Sequence, residues 1–116
     1  MREHTLHLDG ELVIAHLERA ASMLTRMRGL LGRAELPANR GLWITPCPSI
    51  HMFFMRFAID VVFLDRDLKV VRVFDTVRPW GTARGGRGAK SALELPPGTA
   101  ARCGIVPGAQ CVIEPC

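Results

Sequence analysis

The sequence lacks closely spaced cysteines. Its four cysteines stand at positions 47, 103, 111 and 116. No two have the two-residue separation of a zinc knuckle or a redox motif, and no His pair follows them. The first residues, Met1-Arg2-Glu3-His4-Thr5-Leu6, hold no apolar core for a signal peptide. No run approaches membrane-spanning length. These absences predict a cytoplasmic protein with reduced thiols. Acidic residues are missing between Asp75 and Glu94, where Arg78, Arg84, Arg87 and Lys90 fall. Those four charges equal the whole net charge of +4, so the excess is local and a chain-wide nucleic-acid-binding character is not indicated. Internal repeats and low-complexity segments are absent too.

What is present fits one domain. With 116 residues, 48% hydrophobic and 22% charged, the chain can bury a core without a metal or disulfide. Asp9-Gly10 separates two short apolar runs, Thr5–Leu8 and Glu11–Ala15, and predicts a type I′ hairpin whose second strand runs towards Arg19. Met23, Leu24, Met27, Leu30 and Leu31 repeat at helical spacing behind Ser22 as N-cap, with Gly32 at the C-terminal end. Leu42–Thr45 reads as a short strand. Ile50–Phe57 alternates with apolar residues on both faces and is expected to lie centrally. Ile59–Leu64 and Leu68–Phe74 form an antiparallel pair around Asp65-Arg66-Asp67. Thr76–Ala89, with four glycines, is expected to be a long loop. Ser91–Leu95 is a strand, Thr99–Cys103 a single helical turn capped by Thr99, and Gln110–Glu114 the last strand. The sum is a mainly β fold: a small antiparallel β-sandwich or barrel of about eight short strands with one short α-helix packed on it.

The stretch Cys47–Asp65 concentrates four of the five phenylalanines with Cys47, His51, Met55 and Asp60. Cys47, His51 and Asp60 offer a nucleophile, a base and an orienting carboxylate. No oxyanion-hole glycines lie beside Cys47, and the competing reading is a buried Cys with a half-buried His. Cys47, His51, Met52 and Met55 suit a soft metal such as Cu(I). Strand alternation turns Met52 away, however, and no closed four-ligand set results. Asp60 sits in an apolar strand and must meet a cation, from Arg28, Arg33 or Arg56, or several backbone N–H groups. The loop Arg78–Lys90 combines basic residues with Trp80, a composition that grips phosphates and stacks a base, or is simply solvated.

Several motifs together resemble a known family. Arg28-Gly29-Leu30-Leu31-Gly32-Arg33, Phe53-Phe54-Met55 followed by Ile59–Asp65, Leu93-Glu94-Leu95 with Pro97-Gly98, and Gly104–Gly108 occur in the order seen in the family catalogued as domain of unknown function 192. The resemblance implies a small β-rich fold and no established activity. Met55-Arg56-Phe57-Ala58 stands where the family often has Met-Lys-Asn-Thr, and Gly41-Leu42-Trp43 where it has Gly-Met, which points to a subfamily with Cys47 and His51 in its signature.

Two functions follow as expectations. The first is a non-enzymatic binding module without a cofactor, a monomer or weak dimer. It would take an anionic small ligand or protein partner through Arg28, Trp43, His51, Phe53, Met55, Asp60, Trp80 and Arg84, with nucleic acid a lesser option through the Arg78–Lys90 loop. The second is a small thiol-dependent hydrolase or transferase using Cys47, His51 and Asp60.

Overall fold

The structure, a computed structural model, describes residues 2–20, 36–46, 49–51 and 57–116. Nine strands and one helix are present among them: β1 (Arg2–Leu8), β2 (Glu11–Ala20), β3 (Arg40–Ile44), β4 (Ser49–His51), β5 (Ile59–Leu64), β6 (Val70–Val77), β7 (Thr82–Arg84), β8 (Ser91–Leu95), α1 (Thr99–Cys103) and β9 (Cys111–Pro115). The expected helix behind Ser22 lies outside the described residues.

Asp9 and Gly10 both have positive φ, 51° and 80°, as a type I′ turn requires. Leu8 consequently faces Glu11 and the β1–β2 ladder runs on to Arg19. Seven strands form one sheet in the order β6-β5-β8-β3-β2-β1-β9. Every neighbouring pair is antiparallel except β2–β3, where Leu17 pairs with Gly41 in parallel. The sheet curls until its two edges approach. Lys69 bridges Gln110, Val70 N–H donates to the Ala109 carbonyl at 2.8 Å, and Cys111 N–H donates to Leu68 at 3.0 Å. The result is a partly closed barrel.

Curling divides the core by face. Leu6, Leu8, Ile14, Leu17, Val62, Leu64, Val70, Leu93, Leu95, Ala100, Ile105 and Cys111 pack together. They come from both ends of the strand order, so they fill the inside of the curl. Leu36, Leu42, Ile44, Ile59, Val61, Phe63, Ala83 and Ala92 pack on the outer face. β5 alternates between these clusters and is buried at every position, as a strand covered on both sides must be.

Three sequence expectations change. Ile50–Phe57 was expected to be a central strand. Ile50 and His51, within β4, instead pair with β7 in a separate two-stranded sheet, Phe57 lies outside any strand against the outer cluster, and the central positions of the main sheet go to β8 and β3. The long loop Thr76–Ala89 contains the end of β6 and all of β7. Ala83 anchors that segment by burying its side chain in the outer cluster. Thr99 does not cap its helix: the N-cap is Gly98, at φ 87° with no side-chain cap, and Thr99 is fully buried in the first turn.

Candidate functional site

Asp60 is fully buried, and β5 alternation puts its side chain inside the curl with Val62 and Leu64. Its carboxylate meets no described cation. Oδ1 accepts the Thr76 N–H at 2.8 Å and Oδ2 accepts the Ala100 N–H at 2.9 Å. Backbone donors thus balance the burial of this carboxylate, one of the two solutions the sequence left open. The second bond supplies the cap that α1 lacks locally, because Ala100 carries one of the N–H groups a helix start leaves unsatisfied. Asp60 therefore ties β6 and α1 to β5.

The two-stranded sheet lies against the outer face. Ser49 pairs with Arg84, Ile50 with Ala83 and His51 with Thr82. Ala83 points into the core, while Thr82 and Arg84 are exposed. Arg72 of β6 holds this sheet: its guanidinium stacks on Phe74 at 4.7 Å and Nη1 donates to the Arg84 carbonyl at 3.1 Å. Phe74 in turn meets Phe63 edge-on at 6.0 Å. After β7 the chain lies flat on that ring. A Cβ at Gly85 would come within 2.7 Å of Phe63 Cδ1, so only glycine fits.

Trp80 lies in the turn between β6 and β7, with 59% of its surface exposed. Along the same segment of chain Arg78, Arg84, Arg87 and Lys90 are all exposed. Trp43 is placed elsewhere. It packs against the inner cluster, meets His4 edge-on at 5.7 Å and lies under the Arg19 guanidinium at 5.7 Å. Its buried Nε1 has no hydrogen-bond partner among the described residues.

The structure therefore brings the His51 backbone, Trp80 and Arg84 into one region. Asp60 and Trp43 belong to the opposite face of the main sheet. Arg28, Cys47, Met52, Phe53 and Met55, and with them the possible Asp60 partners Arg33 and Arg56, lie outside the described residues. Among the described residues no three His, Cys, Asp or Glu side chains converge on one point. Nor is any helix there long and apolar enough to cross a membrane.

Two residues that sequence reasoning passed over matter to the architecture. Glu94, a second fully buried carboxylate, faces the outer side between Leu42 and Val61. Its signal was a lone acid inside an apolar strand, the same signal that singled out Asp60. Arg72 had none, because its partners belong to later parts of the chain. Cys111 is buried and its thiol is pushed up from 9.0 to about 11 by desolvation, which makes it an inert core group. Cys103 and Cys116 are free thiols.

Solved structures share this fold. A crystal structure of a protein of unknown function from Novosphingobium aromaticivorans superposes with a TM-score of 0.80 at 22% identity, covering 95% of this chain and 83% of its own. A candidate transcription regulator from Sinorhizobium meliloti superposes with a TM-score of 0.79 at 21% identity, covering 97% and 92%. In sequence, a UPF0127 protein of Thermococcus gammatolerans is 35% identical over 95 residues, 77% of this chain and 60% of the relative. A UPF0127 protein of Pyrococcus abyssi is 46% identical over 87 residues, 71% of this chain and 72% of the relative. The match thus spans about 60% of the length of the Thermococcus relative. Residues 4–113 match the family described as Uncharacterized ACR, so the chain belongs to domain of unknown function 192.

Proposed function

We propose that the protein is a non-enzymatic binding module that holds an anionic small ligand or partner on the two-stranded sheet of β4 and β7. The observation that carries this is the pairing of Ser49 with Arg84 and His51 with Thr82. It joins two stretches that the sequence offers separately, the apolar run around His51 and the basic segment around Trp80. Charge favours an anion there: Arg72, Arg78, Arg84, Arg87 and Lys90 are exposed on this part of the chain, and no acid occurs from 76 to 93. A segment that carries charge of one sign raises the local concentration of an anionic partner. Arg28, Phe53 and Met55 belong to the proposal from the sequence alone. The alternative, a thiol-dependent enzyme using Cys47, His51 and Asp60, draws no support from Asp60, whose oxygens accept the Thr76 and Ala100 backbone N–H groups.

Titrating inorganic pyrophosphate into the ¹⁵N-labelled protein tests the proposal. Saturable shifts confined to amides 49–51 and 78–90 support it. Shifts scattered over the surface, or none, contradict it.

A further inference from the structure

Arg78-Pro79-Trp80-Gly81 is a β-turn closed by the Gly81 N–H donating to the Arg78 carbonyl at 2.9 Å. Pro79 occupies the second position, which its fixed φ suits, and Trp80 occupies the third at φ 69°. That is the type II pattern, whose third position calls for glycine or asparagine. A bulky aromatic at positive φ is an outlier, and such strain gathers at functional positions. The neighbouring glycine does not relieve it. Position 81 needs its own glycine, since a Cβ there would lie 2.9 Å from the Arg78 carbonyl oxygen. The chain therefore holds a large ring at an unfavourable position, and that ring is 59% exposed.

Exposed cations follow along the same segment. Thr82 and Arg84 point outward from β7 beyond the turn. Arg72 lies across the β7 backbone, with its Nη1 on the Arg84 carbonyl and its chain beside Gly86. Arg78, Arg87 and Lys90 are exposed. Small-molecule sites are concave and bury most of their ligand, whereas here the groups stand out from the surface along a strand. An exposed aromatic on a segment that carries exposed cations along its length matches an extended polyanion with planar groups. We infer that Trp80 is a base-stacking platform and that the Arg72–Arg84 surface binds single-stranded nucleic acid. This rests on the anion-binding reading of β4 and β7 and names its partner class.

The experiment is fluorescence anisotropy of a labelled twelve-residue oligothymidylate with the full chain across a salt series. Trp80→Gly suits the turn, so an unchanged amide spectrum outside 76–90 shows that the fold is kept. The expected result is salt-dependent binding, weakened about tenfold or more in Trp80→Gly and restored to within about threefold in Trp80→Phe. Arg84→Gln lowers the salt slope by about one. Equal binding by wild type and Trp80→Gly overturns the inference, as does tighter binding of a duplex of the same length. If the oligonucleotide does not bind while pyrophosphate still shifts amides 49–51 and 78–90, the nucleic-acid inference falls and the anion site stands. If neither binds, both fall.

Discussion

Asp60 and Ala100 are forty residues apart in sequence and joined by one hydrogen bond, the Ala100 N–H donating to the Asp60 carboxylate at 2.9 Å. The other carboxylate oxygen accepts the Thr76 N–H at 2.8 Å. One buried side chain thus fixes the start of α1 and the end of β6 against β5. That is an architectural role for the carboxylate that the sequence offered as an orienting group for His51.

Removing this carboxylate should destabilise the fold rather than alter ligand binding. Asp60→Ala loses two charge-assisted bonds and strands two backbone donors, a cost of about 3 kcal/mol or more. Asp60→Asn keeps one acceptor but turns a donor towards a donor, so it is also destabilising. Urea unfolding measures both, and an unchanged midpoint in Asp60→Ala would refute the bracing role.

Gly85 is required by packing. A Cβ there would collide with Ala89 Cβ and lie 2.7 and 2.8 Å from Phe63 Cδ1 and Cγ, and the Phe63 ring is fully buried. Gly85→Ala is expected to cost about 1–3 kcal/mol through overpacking. Gly88→Ala is the control, because a Cβ there meets nothing within 4 Å; it tests backbone strain at φ 86° alone.

Cys111 gives the stability a pH dependence in the alkaline range. Its folded-state value of about 11 exceeds the ordinary 9.0. Above pH 9 the unfolded thiol ionises while the folded one stays neutral. The stabilisation is therefore complete below pH 9 and declines as pH rises towards 11, by on the order of 3 kcal/mol in all. Cys111→Ala should flatten that decline. Iodoacetamide at pH 8 should modify exposed Cys116 quickly and Cys111 only as the protein unfolds, which peptide mass spectrometry reads directly.

Arg72 should act locally. Truncating it to Ala removes the stacking on Phe74 and the bond to the Arg84 carbonyl, both near the surface and worth about 1 kcal/mol together. Hydrogen exchange should speed up at Thr82–Arg84 while β5 and β8 keep their protection. Uniform acceleration across the sheet would show that Arg72 supports the whole fold instead.

Much of the fold was legible because local chemistry dictates it. Asp9-Gly10 can serve a type I′ turn, and the apolar runs at Ile59–Leu64 and Ser91–Leu95 have the length and boundaries of strands. Pairing was not legible, because it depends on groups far apart in the chain. Nothing near Leu17 marks Gly41 as its parallel neighbour. Nor did alternation around Ile50 reveal that Ile50 and His51 pair with Ala83 and Thr82 outside the main sheet. Apolar residues on both faces show that a strand is covered without showing by what.

The candidate site divides along the same line. Asp60 was identifiable as a carboxylate needing partners, while the identity of those partners came from the tertiary fold. Trp43 and Trp80 carry the same ring, yet Trp80 is 59% exposed while Trp43 packs against the inner cluster beneath Arg19; alternation along β3 turns it to that face. The strain at Trp80 was hidden because Pro79-Trp80-Gly81 does not announce which of the last two residues takes positive φ.

The central claim is that β4 and β7 together form one anion site with Arg84 in it. Calorimetric titration of inorganic pyrophosphate into the full chain and its Arg84→Glu variant tests this most directly. One equivalent bound by wild type, with affinity about tenfold or more lower in the variant, is the predicted result. Equal affinity in both proteins, or no heat with either, would contradict it.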